Sequence, residues 1–264
     1  DHIDGIQFVN YGENVIIRNN IISHVNQGIF ISTFSDVRGF INFTVEGNLI
    51  YGGQSGIGTS LPIWHFITLL GAKDSRVIGN TVIGRPDESD FLGQIMLGRH
   101  ESGNVLTERI TVKNNIAPRL CLQDGSTILE ENYNLFYGSQ SNTKCIMSGR
   151  IVNSGSQIIV LGSSTSSGNP GFVDRFGGDF HLSSGSPAID SGIGGEYSFD
   201  LDGTIRPRGN GWDIGAYEFV EISQQCTFTN AYWRTASKSG GQQVVEGSLV
   251  ELVVEGSSCE GQTV

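Results

Sequence analysis

The sequence predicts an all-β chain, most of it a parallel β-helix in which successive coils stack as a solenoid, with a small C-terminal β-sandwich-like segment. Three observations lead there: a degenerate repeat, the lack of helical periodicity, and a composition suited to short strands and tight turns.

The repeat is a short β-branched run, an asparagine, then apolar residues. Its copies are Val15-Ile16-Ile17-Arg18-Asn19-Asn20-Ile21-Ile22, Thr44-Val45-Glu46-Gly47-Asn48-Leu49-Ile50, Arg76-Val77-Ile78-Gly79-Asn80-Thr81-Val82 and Thr111-Val112-Lys113-Asn114-Asn115-Ile116. A looser fifth copy runs from Leu129 to Phe136. The aligned asparagines Asn20, Asn48, Asn80 and Asn115 are 28, 32 and 35 residues apart. Spacing that drifts this much suits coils whose loops vary in length while their strands stay stacked. A second phase, Gly5-Ile6-Gln7-Phe8 and Gly28-Ile29-Phe30-Ile31, alternates in period two, so each coil carries at least two strands.

No apolar run at three-and-four spacing with helix caps accompanies the strands, which excludes helical crossovers between them. A parallel sheet can then form only by coiling, each strand pairing with its counterparts in the coils above and below. In such a stack the asparagines are expected to form a ladder at a turn, their amides bonding one another and the backbone groups that the bend leaves unpaired.

The chain has 264 residues, 37 of them glycine and 6 proline, with 16% charged and a formal net charge of -11. An acidic protein is not attracted to nucleic acid or to an anionic membrane surface. No stretch approaches the roughly 18 apolar residues of a membrane span. The opening residues already carry a strand-like pattern, and the expectation is a piece of a longer multidomain chain. Three regions are expected: coils over 1–168, a turn-rich cap sealing the end of the stack over 169–221, and part of an immunoglobulin-like module over 222–264. The run Gln157–Leu161 is expected in a last irregular coil. Cys226 and Cys259 bracket the third region and read as a disulfide if the protein is exported. Cys121 and Cys145, about one coil apart, read as two buried thiols.

Several motifs resemble known families. Asp179-Phe180-His181-Leu182, Gly185-Ser186-Pro187-Ala188-Ile189-Asp190-Ser191-Gly192, Asp200-Leu201-Asp202-Gly203, Arg206 and Asp213-Ile214-Gly215-Ala216-Tyr217-Glu218 resemble the C-terminal block of secreted right-handed parallel β-helix proteins, including the choice-of-anchor proteins and some polysaccharide lyases. His2-Ile3-Asp4-Gly5-Ile6-Gln7 resembles the opening motif of β-helix proteins related to pectate lyases, alginate lyases and mannuronan epimerases. The segment from Cys226 resembles an immunoglobulin-like module of large surface proteins. These resemblances imply a secreted or cell-surface location and a polysaccharide partner, uronic-acid-containing, by analogy of fold.

Lyases and epimerases of that architecture must neutralise a carboxylate and remove a weakly acidic proton beside it. Lys73 and Arg99 each follow an apolar run about one coil apart and are the expected catalytic pair, with His100 an alternative base. His2, Asp4 and Gln7 are expected to bind substrate; alternation that buries Ile6 and Phe8 turns Gln7 outward. Ordinary turn residues at a solvated edge are the competing reading of Lys73, Arg99 and His100, and Asp4 equally well caps the turn before Gly5. Asp200 and Asp202, alternate carboxylates before Gly203, are weak candidates for Ca²⁺; the preferred reading has Arg206 paired with Asp213 or Glu218 to close the cap. Asp87, Glu88 and Asp90 cluster on a polar loop where solvation accounts for them. Two functions follow. One is a polysaccharide lyase or C5-epimerase-like domain acting on an acidic glycan. The other is a non-catalytic adhesive, glycan-binding or spacer β-helix.

Overall fold

The structure is a computed structural model of the whole chain. It describes residues 4–25, 27–52, 65–84, 93–100, 105–123, 125–138, 145–146, 162–195, 197–221, 227–235 and 250–257. The chain divides into two compact units, Asp1–Phe219 and Val220–Val264.

Among the described residues every regular element is a strand. The first coil holds β1 (Asp4–Val9), β2 (Tyr11–Glu13), β3 (Ile16–Arg18) and β4 (Ile21–Ser23). The second repeats it with β5 (Gln27–Ser32), β6 (Gly39–Ile41), β7 (Thr44–Glu46) and β8 (Leu49–Tyr51). The third holds β9 (His65–Leu70), β10 (Ala72–Lys73), β11 (Arg76–Ile78) and β12 (Thr81–Ile83). Then come β13 (Ile95–Gly98), β14 (Ile110–Lys113) and β15 (Ile116–Ala117), followed by β16 (Leu120–Leu122), β17 (Ile128–Asn132) and β18 (Leu135–Phe136). Last are β19 (Cys145–Ile146) and β20 (Ser166–Ser167).

Corresponding strands pair across coils in four sheets. Sheet I has the order β1-β5-β9-β13-β16-β19, sheet II β2-β6-β10, sheet III β3-β7-β11-β14-β17 and sheet IV β4-β8-β12-β15-β18-β20. Every coil-to-coil pairing is parallel except β16 with β19. Stacked parallel sheets of this kind are consistent with a β-helical solenoid. Each coil thus carries up to four strands: the repeat spans sheets III and IV and the second phase sheet I, while sheet II, built of strands of two or three residues without a recurring residue pattern, was not read from the sequence.

The interior is filled by one residue column per inward position. Ile29, Ile67, Ile95 and Leu120 line sheet I, Ile17, Val45, Val77 and Val112 line sheet III, and Ile22, Ile50, Val82, Ala117 and Phe136 line sheet IV. The sheet III column ends in Glu131, whose carboxylate accepts hydrogen bonds from Asn134 Nδ2 (2.7 Å), Thr165 Oγ1 (2.6 Å) and Gly162 N (2.9 Å). Those three donors let a carboxylate sit where the pattern calls for an aliphatic side chain.

The asparagine ladder forms between sheets III and IV. Asn20, Asn48, Asn80, Asn115 and Asn134 donate in sequence through Nδ2 to the next Oδ1 at 2.8, 3.0, 2.9 and 2.9 Å. Each Oδ1 from Asn48 onward also accepts the backbone N–H of the asparagine one coil earlier. The residue before each ladder asparagine is left-handed: Asn19, Gly47, Gly79, Asn114 and Tyr133, with φ between 54 and 63°. Glycine and asparagine suit that conformation, which explains the Asn-Asn and Gly-Asn pairs of the repeat. A second left-handed column, Asn14, Asn42, Asp74 and Arg109, turns the chain from sheet II into sheet III.

The segment from Asn169 to Phe219 carries the β21 (Phe172–Asp174) and β22 (Asp179–Leu182) hairpin and otherwise turns. It was expected to seal the end of the stack; instead it lies along the outer face of sheet IV. Phe180, Ala216 and Tyr217 pack on Leu49 and Ile83, while Leu182, Ala188 and Ile214 pack on Ile116 and Leu135. Backbone and side-chain bonds fasten it: Gly215 N to Asn114 O (2.7 Å), Ala216 N to Thr81 Oγ1 (2.8 Å) and Ile193 N to Asn114 Oδ1 (3.0 Å). The expected closing pair is Arg206 with Glu218, 2.7 Å apart and fully buried. Asp213 offers Arg206 its carbonyl oxygen rather than its carboxylate.

Cys121 is disulfide-bonded, which corrects the reading as a buried thiol, and the backbone register sets Cys145 opposite it. An antiparallel return over β16 brings the two strands together, something a regular coil spacing does not predict. In the second unit β23 (Thr227–Thr235) and β24 (Val250–Ser257) form an antiparallel hairpin. Cys226, Cys259, the run Gln157–Leu161 and the Asp87, Glu88, Asp90 cluster lie outside the described residues.

Candidate functional site

The candidate residues distribute over two sheets. Asp4 and Gln7 belong to β1 on sheet I, and His2 lies outside the described residues. Gln7 is exposed while Ile6 and Phe8 pack against the core, so the period-two pattern sets its direction. Asp4, half-buried, opens the strand opposite Gln27.

Gln7 heads an outward column that continues through Phe30, Thr68, Met96 and Cys121. From Phe30 onward the column is not open: Phe30, Thr68 and Cys121 are buried and Met96 half-buried. The Thr68 hydroxyl has no hydrogen-bond partner there. The accessible part of this face is therefore the Gln7 end and the border with sheet II.

Arg99 and His100 stand on that border, immediately after β13. Arg99 is exposed; its backbone N–H donates to Gln123 Oε1 at 2.8 Å, and its guanidinium enters no ion pair among the described residues. The His100 ring lies against Phe34, centroids 4.3 Å apart, and Phe34 against Phe30 at 6.3 Å. Phe34 belongs to the turn after β5, two coils away, so the aromatic contact spans the tight corner at Gly71 of the intervening coil. Arg99 and Gln7 stand three coils apart, about 14 Å at the usual strand spacing.

Lys73 is elsewhere. It ends β10 on sheet II, stacked between Ile41 and Glu108, and its ammonium pairs with Glu108 Oε2 at 3.2 Å. Beside it Arg109 grips Asp74 with Nε at 2.7 Å and Nη2 at 2.5 Å, and reaches Glu108 at 3.9 Å. The hydrogen bonds from Arg109 hold the Asp74 carboxyl below its usual range. Two cations and two carboxylates thus alternate and neutralise one another. Lys73 and Arg99 follow equivalent apolar runs, yet the third coil turns within one residue at Gly71 whereas the fourth inserts residues 99–107 at the same corner. Arg99 opens that insertion, and Glu108 takes the place beside Lys73. The structure brings His100, next to Arg99 in the chain, against Phe34, whereas the ammonium of Lys73 pairs with Glu108.

Sheet III repeats the alternation. Arg18 pairs with Glu46, and Lys113 with Glu130 at 2.6 Å. Phe30, Phe34, Asp74, Glu108 and Arg109 were not singled out from the sequence. For Phe34 no local signal exists, since its contact depends on two loops of different coils; Asp74 could have been found as the third member of the left-handed Asn14, Asn42 column.

Asp200 and Asp202 hold protein donors. Asp200 accepts from Asp202 N (2.9 Å), Thr204 N (2.7 Å) and Glu218 N (2.8 Å), the work of a turn-closing carboxylate. Asp202 faces His181 at 2.7 Å. Among the described residues no group of three or more histidine, cysteine, aspartate or glutamate side chains is placed to hold a metal ion.

The class that fold and site define is an all-β stack of parallel coils with a laterally packed turn-rich segment. Comparison with protein-family models, with curated proteins and with solved structures finds no match for this chain.

Proposed function

We propose that the chain is a right-handed parallel β-helix of the pectate-lyase-like kind, from a secreted or cell-surface multidomain protein, whose sheet I border binds a uronic-acid-containing polysaccharide without cleaving it. One observation carries the reading: Arg99, exposed and in no ion pair among the described residues, immediately precedes His100, whose ring lies against Phe34. A guanidinium is suited to carboxylate oxygens, and ring faces suit the apolar side of a sugar. Binding is favoured over elimination because Lys73, one of the expected catalytic pair, is paired with Glu108 on sheet II, whereas Arg99 follows β13 of sheet I.

The test is equilibrium binding of the whole chain to oligogalacturonate and to oligoalginate, with a neutral glucan alongside. Loss of one charge-assisted contact of about 1.4 kcal/mol corresponds to roughly tenfold weaker binding in Arg99→Ala. Lys73→Ala should bind within about twofold of the parent protein, and affinity should fall as salt rises. Equal affinity for the neutral glucan, or an unchanged Arg99→Ala, would remove the proposal.

A second reading, β-elimination, is favoured by the adjacency of His100 and Arg99, which sets a base beside a carboxylate-neutralising cation. Ultraviolet absorbance from a new conjugated double bond, lost in His100→Ala, would replace simple binding with turnover.

A further inference from the structure

The His181 imidazole bridges two carboxylates, one through each ring nitrogen. Nδ1 lies 2.6 Å from Asp179 Oδ1 and Nε2 lies 2.7 Å from Asp202 Oδ2. A neutral imidazole has one donor and one acceptor, and an ionised carboxylate only accepts; both contacts are hydrogen bonds together only when the ring carries two protons. The three residues come from two pieces of the lateral segment. Asp179 and His181 share β22, while Asp202 belongs to the turn closed by Asp200. The same arrangement argues against a metal, which could take only one ring nitrogen and would leave one carboxylate on the far side.

We propose that His181 is a pH-sensitive latch, closed as the imidazolium, that ties the 200–204 turn to the β21–β22 hairpin over sheet IV. The groups facing it are consistent with that charge. Asp200 stands behind Asp202, and Asp174 lies across from Asp179 in the hairpin. The Tyr217 ring stacks on the imidazole at 4.2 Å, and Tyr51 of β8 packs on Phe180 at 5.0 Å. Tyr217 is pushed up to about 12 by burial and then by Asp202, Asp200 and Asp179, so it stays a neutral phenol. Burial alone would lower the His181 pKa, but the hydrogen bonds to Asp202 and Asp179 outweigh it and hold the group above its ordinary value. Burial would likewise raise Asp179, and the bond from His181 outweighs it in the other direction.

The sign follows from linkage. A histidine whose folded pKa is raised contributes stability that is complete below about 6.5 and is lost as pH rises through the folded value. Above that pH one nitrogen loses its proton, one carboxylate faces a lone pair, and the turn is released from the hairpin.

The experiment is a nitrogen-15 titration of the histidine side chains in the whole chain, with His181 assigned by the signal missing in His181→Gln. The expected result is a doubly protonated ring with a midpoint above 6.5, falling in Asp202→Asn, which keeps an acceptor but removes the charge. Thermal unfolding of wild type and His181→Gln from pH 5 to 8.5 should show a wild-type advantage that shrinks across the same titration. Asp213, pushed up to about 6 chiefly by burial, titrates in both proteins and drops out of the difference. A midpoint at or below 6.5, or an advantage independent of pH, would overturn the latch.

Discussion

Asn80 shows how much one ladder residue does. Its Nδ2 donates to Val45 O, Ile78 O and Asn115 Oδ1, and its Oδ1 accepts from both nitrogens of Asn48, all with the side chain fully buried. Truncation strands several of these groups away from water, each at about 1–3 kcal/mol before relaxation. Asn80→Ala should therefore cost about 3 kcal/mol or more in denaturant unfolding. Asn20→Ala, at the half-exposed first rung, should cost about 1 kcal/mol because water can replace its bonds. Equal losses at the two sites would contradict a buried, mutually bonded column. The corner residues obey a finer rule. Left-handed asparagines serve at Asn19 and Asn114, but at Gly79 an added Cβ would fall 1.6 Å from the Tyr197 hydroxyl oxygen. Backbone handedness allows either residue, and packing by a segment more than a hundred positions later decides for glycine.

At the scale of elements, the lateral segment depends on the Arg206–Glu218 pair. The guanidinium also donates to Asp213 O (3.2 Å) and Gly215 O (2.8 Å) and lies over the Tyr197 and Trp212 rings, 5.2 and 5.6 Å from their centroids. Removing one partner of a fully buried pair leaves an uncompensated charge, at about 3–5 kcal/mol. Arg206→Met should lower stability by that amount in thermal or denaturant unfolding, and adding Glu218→Gln should recover part of it. A loss under 1 kcal/mol would show that the pair does not hold the segment. The sequence set this block apart as turn-rich and proposed Arg206 with Asp213 or Glu218 as its closing pair, yet placed it at the end of the stack. The missed cue lies in sheet IV itself. Ile21-Ile22, Leu49-Ile50, Val82-Ile83 and Leu135-Phe136 are consecutive apolar pairs, and in a strand these point to opposite faces. Ile21, beyond the covered stretch, is 61% exposed, whereas Leu49 one coil on is 3% exposed.

Across the whole molecule, the asparagine repeat was legible because one corner imposes the same two demands, a left-handed residue and a side-chain amide, on every coil. The candidate site was only partly legible. Arg99 and His100 emerged as residues following an apolar run, but their relation to Lys73 depends on the loop inserted at one corner, and loop length carries no period. The placement of each of these residues rests on the parallel register of the coils. That register is tested most directly by engineered disulfides on sheet III. Arg76 and Thr111 are register partners in adjacent coils, and Thr111 pairs in turn with Glu130. In the doubly substituted Arg76→Cys, Thr111→Cys protein, peptide mass mapping after mild oxidation should find a link between positions 76 and 111. The Arg76→Cys, Glu130→Cys control spans two coils, about 9.6 Å, beyond the reach of a disulfide, and should stay unlinked. A link in the control with none in the adjacent pair would contradict the stacked-coil register.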